Sequence, residues 1–424
     1  MINEDSVRAV DAATWSGQFI RPLYETYCFA RLPAFIRSLF GLPTQDGLPA
    51  SVLGPYAQTF DTVVLFLVDG FGWRFYEPRK ERYAALERFA RDGVVSKLTA
   101  QFPSTTTAHV TTLFTGLPVN RGGLFEWFMY EPQIDAIIAP LLYSFAGDAE
   151  RDTLRTAISP DSIYPQPRLA EDLQAHGIGT FVLQHRSYTP STYTDSMARG
   201  AHVLPFDTLP MALETLTRLL DEQHGRSYVL VYFDRIDFLS HHHGPDSART
   251  DEEIDSTLGL LERAFLSRAA GRYPRTLLAM TADHGHTAVN PASTIYLNQD
   301  VPDVAGYLRR NAAGRLLVPA GSARDMFLYL RDGTADDAAS LLRQHLRGRA
   351  DVLPVSTLIE QGIFGLGAPS EAFLRRVGDL VVLPYAGESV WWYEPGRFQQ
   401  DFYGHHGGLS RDEMEIPLLL LSLS

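Results

Sequence analysis

From Thr62 to Val68 the chain runs TVVLFLV, an almost unbroken apolar stretch. Continuous apolarity of this kind belongs to a strand covered on both faces, because an alternating pattern arises only where one face meets water. Similar runs recur at 179–184 (GTFVLQ), 228–233 (YVLVYF) and 276–282 (TLLAMTA). Residues 79–93, RKERYAALERFARDG, place apolar residues at helical spacing and stop at a glycine, so they predict an amphipathic helix. A second helix, DEEIDSTLGLLERAFLSRAA, falls between the last two strands. Strand and helix alternating in this way predict a three-layer α/β/α sandwich around a mostly parallel central sheet.

Three stretches depart from that rhythm. Residues 1–50 read as a helical lead-in, with LPAFIRSLFG carrying a helical pattern that ends at Gly41. Residues 124–175 are rich in aromatics and prolines and read as a loop-rich insertion. Residues 288–400 hold strand-like SARDMFLYLRD and DLVVLPY around a helix at DDAASLLRQHLRGR, which predicts a small inserted α/β subdomain. Residues 51–287 and 401–424 then make up the core.

Composition narrows the partners. Hydrophobic content of 45% with 21% charged residues is that of an ordinary globular protein. A formal charge of −13 disfavours a nucleic-acid polymer or an anionic membrane as partner, since both select a cationic face. Cys28 is the single cysteine, so no intramolecular disulfide forms. The opening MINEDSVRAVDAATWSG lacks a basic segment followed by an apolar one, and a cytoplasmic location is expected.

The candidate chemistry stands where the apolar runs stop. Ligands of open α/β sheets sit beyond the carboxyl ends of strands. TVVLFLVDG ends on Asp69, YVLVYFDRIDFLSHHHGP on Asp237 and His241, and TLLAMTADHGH on Asp283 and His284. The late loop YGHHGG offers His405 and His406. Asp237 and His241 are four residues apart, hence on one side of a helical turn, and could share an ion with a histidine of the late loop. Asp283 and His284 with Asp69 would form a second site. Buried together without a cation, these carboxylates would cost several kcal/mol. Between the strands lies FPSTTTAHVTTLFTG, a hydroxyl-rich turn entering a helix. A hydroxyl at a helix N-terminus beside a metal is a competent nucleophile.

These segments, in this order and over nearly the whole chain, resemble the type I phosphodiesterase/nucleotide pyrophosphatase branch of the alkaline phosphatase superfamily. VVLFLVDGFGW, FPSTTTAHVTTLFTGLPVNRGG, DRIDFLSHHHGP, TADHG and HHGG carry the likeness. It implies an alkaline phosphatase-like fold and two divalent metal ions, zinc first and manganese second. Asp69, Thr106, Asp283 and His284 would hold the metal that activates the nucleophile; Asp237, His241 and His406 would hold the other. Thr106 would attack phosphorus and form a phosphothreonine intermediate. Thr105 and His405 remain alternatives within their runs. The substrate implied is a small, nucleotide-like phosphodiester or pyrophosphate. A phosphomonoesterase or phosphonate hydrolase on the same site is the alternative, and a noncatalytic metal-containing binding protein the distant one.

Substrate contacts are harder to assign. His109 stands three residues after Thr106, where many nucleotide pyrophosphatases carry a phosphate-binding asparagine. Arg121 is the one basic residue close in sequence to the nucleophile segment. Phe71 and Trp127, with Trp73, Phe125 and Tyr130, are candidates for an apolar slot around a flat leaving group.

Overall fold

The computed structural model describes residues 1–56, 59–222 and 225–424. Its centre is a seven-stranded sheet. Across the sheet the strands run Val94–Thr99, Glu415–Ser422, Thr276–Thr281, Thr62–Val68, Ser227–Phe233, Gly179–His185 and His202–Phe206. Six are mutually parallel, and Glu415–Ser422 is antiparallel to both its neighbours. The three central runs are buried at nearly every position, as continuous apolarity requires. The fold is the mostly parallel α/β sandwich that the sequence predicts, with helices such as Thr106–Thr115, Ala84–Asp92 and Ala248–Leu260 packed around the sheet.

Register levels the functional ends of the strands. Val68 pairs with Phe233, and Leu67 with Thr281. The Asp69 N–H donates to the Phe233 carbonyl at 2.8 Å. The chain therefore leaves three adjacent strands at one edge, and the segments carrying Asp69, Asp237 and Asp283 emerge side by side.

Two helices differ from expectation. The segment 79–93 is α-helical only over Ala84–Asp92. Its first turn is instead held by Asp251 and Asp255 of a neighbouring helix, which accept from Arg79 and Tyr83. The helix read at 251–270 begins at Ala248 and passes through a π-helical turn, Leu261–Leu266. The lead-in holds helices Glu4–Asp11 and Leu32–Leu39 but also a hairpin, Thr14–Ser16 with Phe19–Ile20.

Residues 124–175 contain a small antiparallel sheet, Met129–Glu131, Ala136–Ala139 and Ser144–Phe145. Within 288–400, strands Met326–Leu328, Leu380–Pro384 and Ala350–Pro354 form an antiparallel sheet next to helix Ala335–His345. This subdomain has a core of its own, including Leu328, Leu342 and Val382. One polar anchor to the main body is the fully buried Arg324–Glu413 pair, 2.9 Å. After it the chain returns as Gly404–His405, pairing antiparallel with Thr287–Ala288. No helix among the described residues is long and apolar enough to cross a membrane.

Candidate metal centre

Two clusters form at the level strand ends. Asp69, Asp283 and His284 make one, and Asp237, His241, His286 and His406 the other; within each, the candidate ligand atoms lie within 4.8 Å of one another. Asp69 directly follows its strand, and Asp283 stands two residues beyond Thr281, the last residue of its own. Asp237 sits in the first turn of helix Arg235–His243, so His241 projects one turn later on the same side. His406 arrives from the far end of the sequence on the returning chain, whose place is fixed by Tyr403 N–H donating to the His241 carbonyl at 2.8 Å.

Three of the cluster imidazoles are each held in one tautomer. The Nδ1 atoms of His241, His406 and His284 lie 2.8, 2.9 and 3.1 Å from the carbonyl oxygens of Gly404, Ser104 and Gly285. A carbonyl accepts only, so each Nδ1 carries the proton and each Nε2 presents a lone pair to the clusters. Burial depresses His241 to about 4, His284 to about 3 and His406 well below the usual range. The ring of His284 stacks on His406 at 3.5 Å. The carboxyls move the other way. Burial, then the charges of Asp283 and Asp237, lifts Asp69 well above its ordinary value, and burial lifts Asp237 to about 6.

Thr106, the first residue of helix Thr106–Thr115, reaches this charge. Its Oγ1 lies 3.4 Å from Asp69 Oδ2 and 3.2 Å from His284 Nε2. Thr105 is the extended N-cap and is buried. Between the two loop histidines, His406 belongs to the cluster and His405 to the cavity wall beside it.

A cavity of about 580 Å³ opens over the clusters. Of the residues expected to bind substrate, Trp127 alone lines it; the other three require correction. His109 is fully buried, its Nε2 accepting the Gln101 N–H at 2.8 Å and its Nδ1 facing the Thr105 carbonyl at 2.7 Å. Both ring nitrogens are thereby used to brace the turn before the helix. Phe71 is core, stacked on Phe75. Arg121 is exposed on the short helix Val119–Gly122, away from the cavity lining. Phe125 and Tyr130 pack on Phe327 and Tyr329, and Trp73 on Tyr76. Besides Trp127, the aromatic lining includes Phe238, Tyr188, Trp391, Phe398 and Phe402.

His286 was not singled out in the sequence, although it ends the run TADHGH. It is fully buried and its Nε2 lies 2.7 Å from Asp237 Oδ1, which orients that carboxylate. Tyr232 does the same for Asp69, donating to Oδ2. Gly285 is required for closeness rather than for an unusual turn: a Cβ there would lie 2.1 Å from the Asp412 carbonyl oxygen.

The comparisons agree with this architecture. The structure is similar to an inactive form of murine ectonucleotide pyrophosphatase/phosphodiesterase 5 in complex with AMP, at 16% identity and TM-score 0.61, over 84% of this chain and 87% of that one. It is similar to a second structure of murine ectonucleotide pyrophosphatase/phosphodiesterase 5 at 17% identity and TM-score 0.62, over the same shares. The human counterpart gives 17% identity and TM-score 0.61, over 85% and 87%. No curated protein sequence matches. The model of the family described as type I phosphodiesterase/nucleotide pyrophosphatase matches residues 63–409. The chain belongs to the type I phosphodiesterase/nucleotide pyrophosphatase family and is a phosphoric ester hydrolase of that metal-dependent family.

Proposed function

We propose that the protein hydrolyses phosphodiester or pyrophosphate bonds of a small nucleotide-like substrate, with two divalent metal ions and with Thr106 as nucleophile. The observation that carries this reading is the convergence of two buried ligand sets on one helix-terminal hydroxyl.

The donors fit divalent ions. Asp69 Oδ1 and Asp283 Oδ2 are buried without a hydrogen-bond partner among the described residues. The Nε2 atoms of His241 and His406 face each other at 3.1 Å, although both rings already carry their proton on Nδ1. Two lone pairs at that distance repel, and a shared cation turns repulsion into coordination. Asp69, Thr106, Asp283 and His284 would hold one ion, and Asp237, His241 and His406 the other. Three imidazoles among the seven donors favour zinc over magnesium, with manganese next. Bound there, such ions make hydroxyl and water nucleophilic near neutral pH and neutralise charge on the phosphoryl group.

The protein's own groups then set the geometry. Asp69 and His284 hold the Thr106 hydroxyl in one place, and the N–H groups at the start of its helix face the incoming anion. Attack of Oγ1 on phosphorus forms a phosphothreonine ester as the bond from phosphorus to the leaving oxygen breaks, and the departing alcohol or phosphate takes up the proton that the hydroxyl loses. Water then cleaves the ester at phosphorus, releasing the second product and restoring the Thr106 hydroxyl. Trp127 and Phe238, the cavity aromatics most open to solvent at 39% and 44%, offer stacking faces to a base. The AMP held by the murine relative supports a ligand of that size.

Diesters are expected to be preferred over monoesters. A monoester brings a second charge that needs its own cation. The two guanidinium groups bordering the cavity are engaged elsewhere: Arg397 with Glu394 and the Ala146 carbonyl, Arg151 with the Ser187 carbonyl. With zinc content measured in parallel, kcat/KM for a nitrophenyl nucleotide ester should exceed that for nitrophenyl phosphate. A higher value on the monoester would overturn the diesterase assignment.

A further inference from the structure

Glu126 and Asp325 are a carboxyl pair that neither ligand cluster uses. Glu126 belongs to the cavity wall, as do Thr105 and Thr106; Asp325 comes from the small subdomain. Both side chains are fully buried. Oε2 of Glu126 accepts the Trp127 N–H. Oδ1 of Asp325 accepts the Ser322 N–H at 3.1 Å and its hydroxyl at 2.6 Å. Oε1 of Glu126 and Oδ2 of Asp325 have no partner among the described residues. The two groups meet over Gly407, where a Cβ would lie 2.8 Å from Asp325 Oδ1 and 3.3 Å from Glu126 Oε1.

Among the described residues no cation pairs with either carboxyl. Arg324, the adjacent residue, donates from Nε and Nη2 to Glu413, both at 2.9 Å, and from Nη1 to the Tyr385 and Glu388 carbonyls. Adjacent carboxyls in such a place cannot both ionise, and their oxygens can bond to each other only through a proton. Burial pushes Glu126 up to about 8; burial and the charge of Glu126 push Asp325 well above the usual range. Glu413 adds to the rise at Asp325 and is itself neutralised by Arg324. Near neutral pH Asp325 therefore donates its proton toward Glu126, and Glu126 keeps an O–H of its own beside Thr105. His109, the donor expected from sequence, is committed to the backbone.

We propose that Glu126 is a catalytic residue: a neutral carboxylic acid, braced by Asp325, whose O–H donates a hydrogen bond to a nonbridging oxygen of the phosphoryl group that Thr106 attacks. The proposal rests on the hydrolase reading above. Glu126 transfers no proton; it acts as a fixed donor whose bond strengthens as charge gathers on that oxygen. Asp325 is the positioning residue behind it.

The test compares wild type, Glu126→Ala and Glu126→Gln on a nitrophenyl nucleotide diester, with metal content and melting temperature measured for each. Loss of one preorganised donor lowers turnover by about 10²–10³-fold, and Glu126→Ala should show a kcat loss of that size. Glu126→Gln keeps an N–H donor that does not titrate, so it should recover roughly tenfold or more of the loss. Wild-type activity should fall as pH rises through about 8, and the Gln variant should lack that fall. Equal losses in both variants at unchanged metal content, or an alkaline fall shared by wild type and Gln, would overturn the proposal. So would a third metal ion per chain that Glu126→Gln removes. If the Ala variant fails to fold, the Gln pH profile decides alone. A metal-loaded wild type inert on every phosphate ester would overturn both this proposal and the hydrolase reading.

Discussion

Thr106 Oγ1 touches Asp69 and His284 of one candidate ligand set, while the remaining six donors are positioned by other segments. Thr106→Ala should therefore cut kcat by about 10³-fold or more, as removal of a covalent nucleophile does, and both metals should still bind. Thr106→Ser should keep part of the rate, because the hydroxyl remains while the methyl that restricts its rotamer is lost. Single-turnover kinetics with elemental analysis would check this. A wild-type rate in Thr106→Ala with loss in Thr105→Ala would move the role to Thr105. The residue scale is also where sequence reasoning failed most often. His109, Phe71 and Arg121 have the right chemistry and the right neighbours in sequence. Their side chains point elsewhere, because helix phase and strand face, rather than proximity along the chain, decide which groups share a cavity.

At the scale of elements, the late loop depends on the short helix Arg411–Met414 beneath it. Glu413 accepts from Gly408 N–H, from the Ser410 hydroxyl and from Arg324. One carboxylate thus ties the His406 loop, the final strand and the subdomain together. Burial alone would raise Glu413; the Arg324 charge and these hydrogen bonds outweigh it, and its carboxyl lies below the usual value. A carboxyl depressed in the folded state stabilises above its unfolded value, about 4.3. That stability is lost as pH falls through the folded value. Glu413→Gln should cost about 3–5 kcal/mol by stranding the Arg324 charge, and its melting temperature should depend less steeply on pH on the acid side. Parallel melting curves of wild type and variant between neutral and acid pH would show a shared slope if Glu413 contributes nothing.

For the whole molecule, the clusters join the segments that leave three adjacent central strands with the chain that returns from the subdomain. Asp69, Asp237 and Asp283 meet there at low exposure, and without ions their repulsion opposes the fold. Ligand binding to the native state alone stabilises by about 4 kcal/mol per site at a thousandfold excess over Kd. A chelator should therefore lower the melting temperature by several degrees, about 2–4 °C per kcal/mol for a domain of 150–250 residues and less for a longer chain, and zinc should restore it. A melting temperature indifferent to chelator would mean that the clusters hold no ion.

Much of this was present in the sequence because it is locally encoded. A strand buried on both faces must be apolar throughout, so Thr62–Val68, Ser227–Phe233 and Thr276–Thr281 announce themselves, and polar residues at their ends mark the functional edge. Helical spacing likewise placed Asp237 and His241 on one turn. The final strand, Glu415–Ser422, is equally apolar, but its antiparallel entry into the sheet is a matter of topology that no local pattern carries. Choosing His406 over His405, recruiting His286 to Asp237 and bringing Glu126 against Asp325 all required tertiary structure. Each depends on where a side chain points once distant segments are packed. That direction is fixed by long-range contacts, whereas burial and periodicity are written into neighbouring residues.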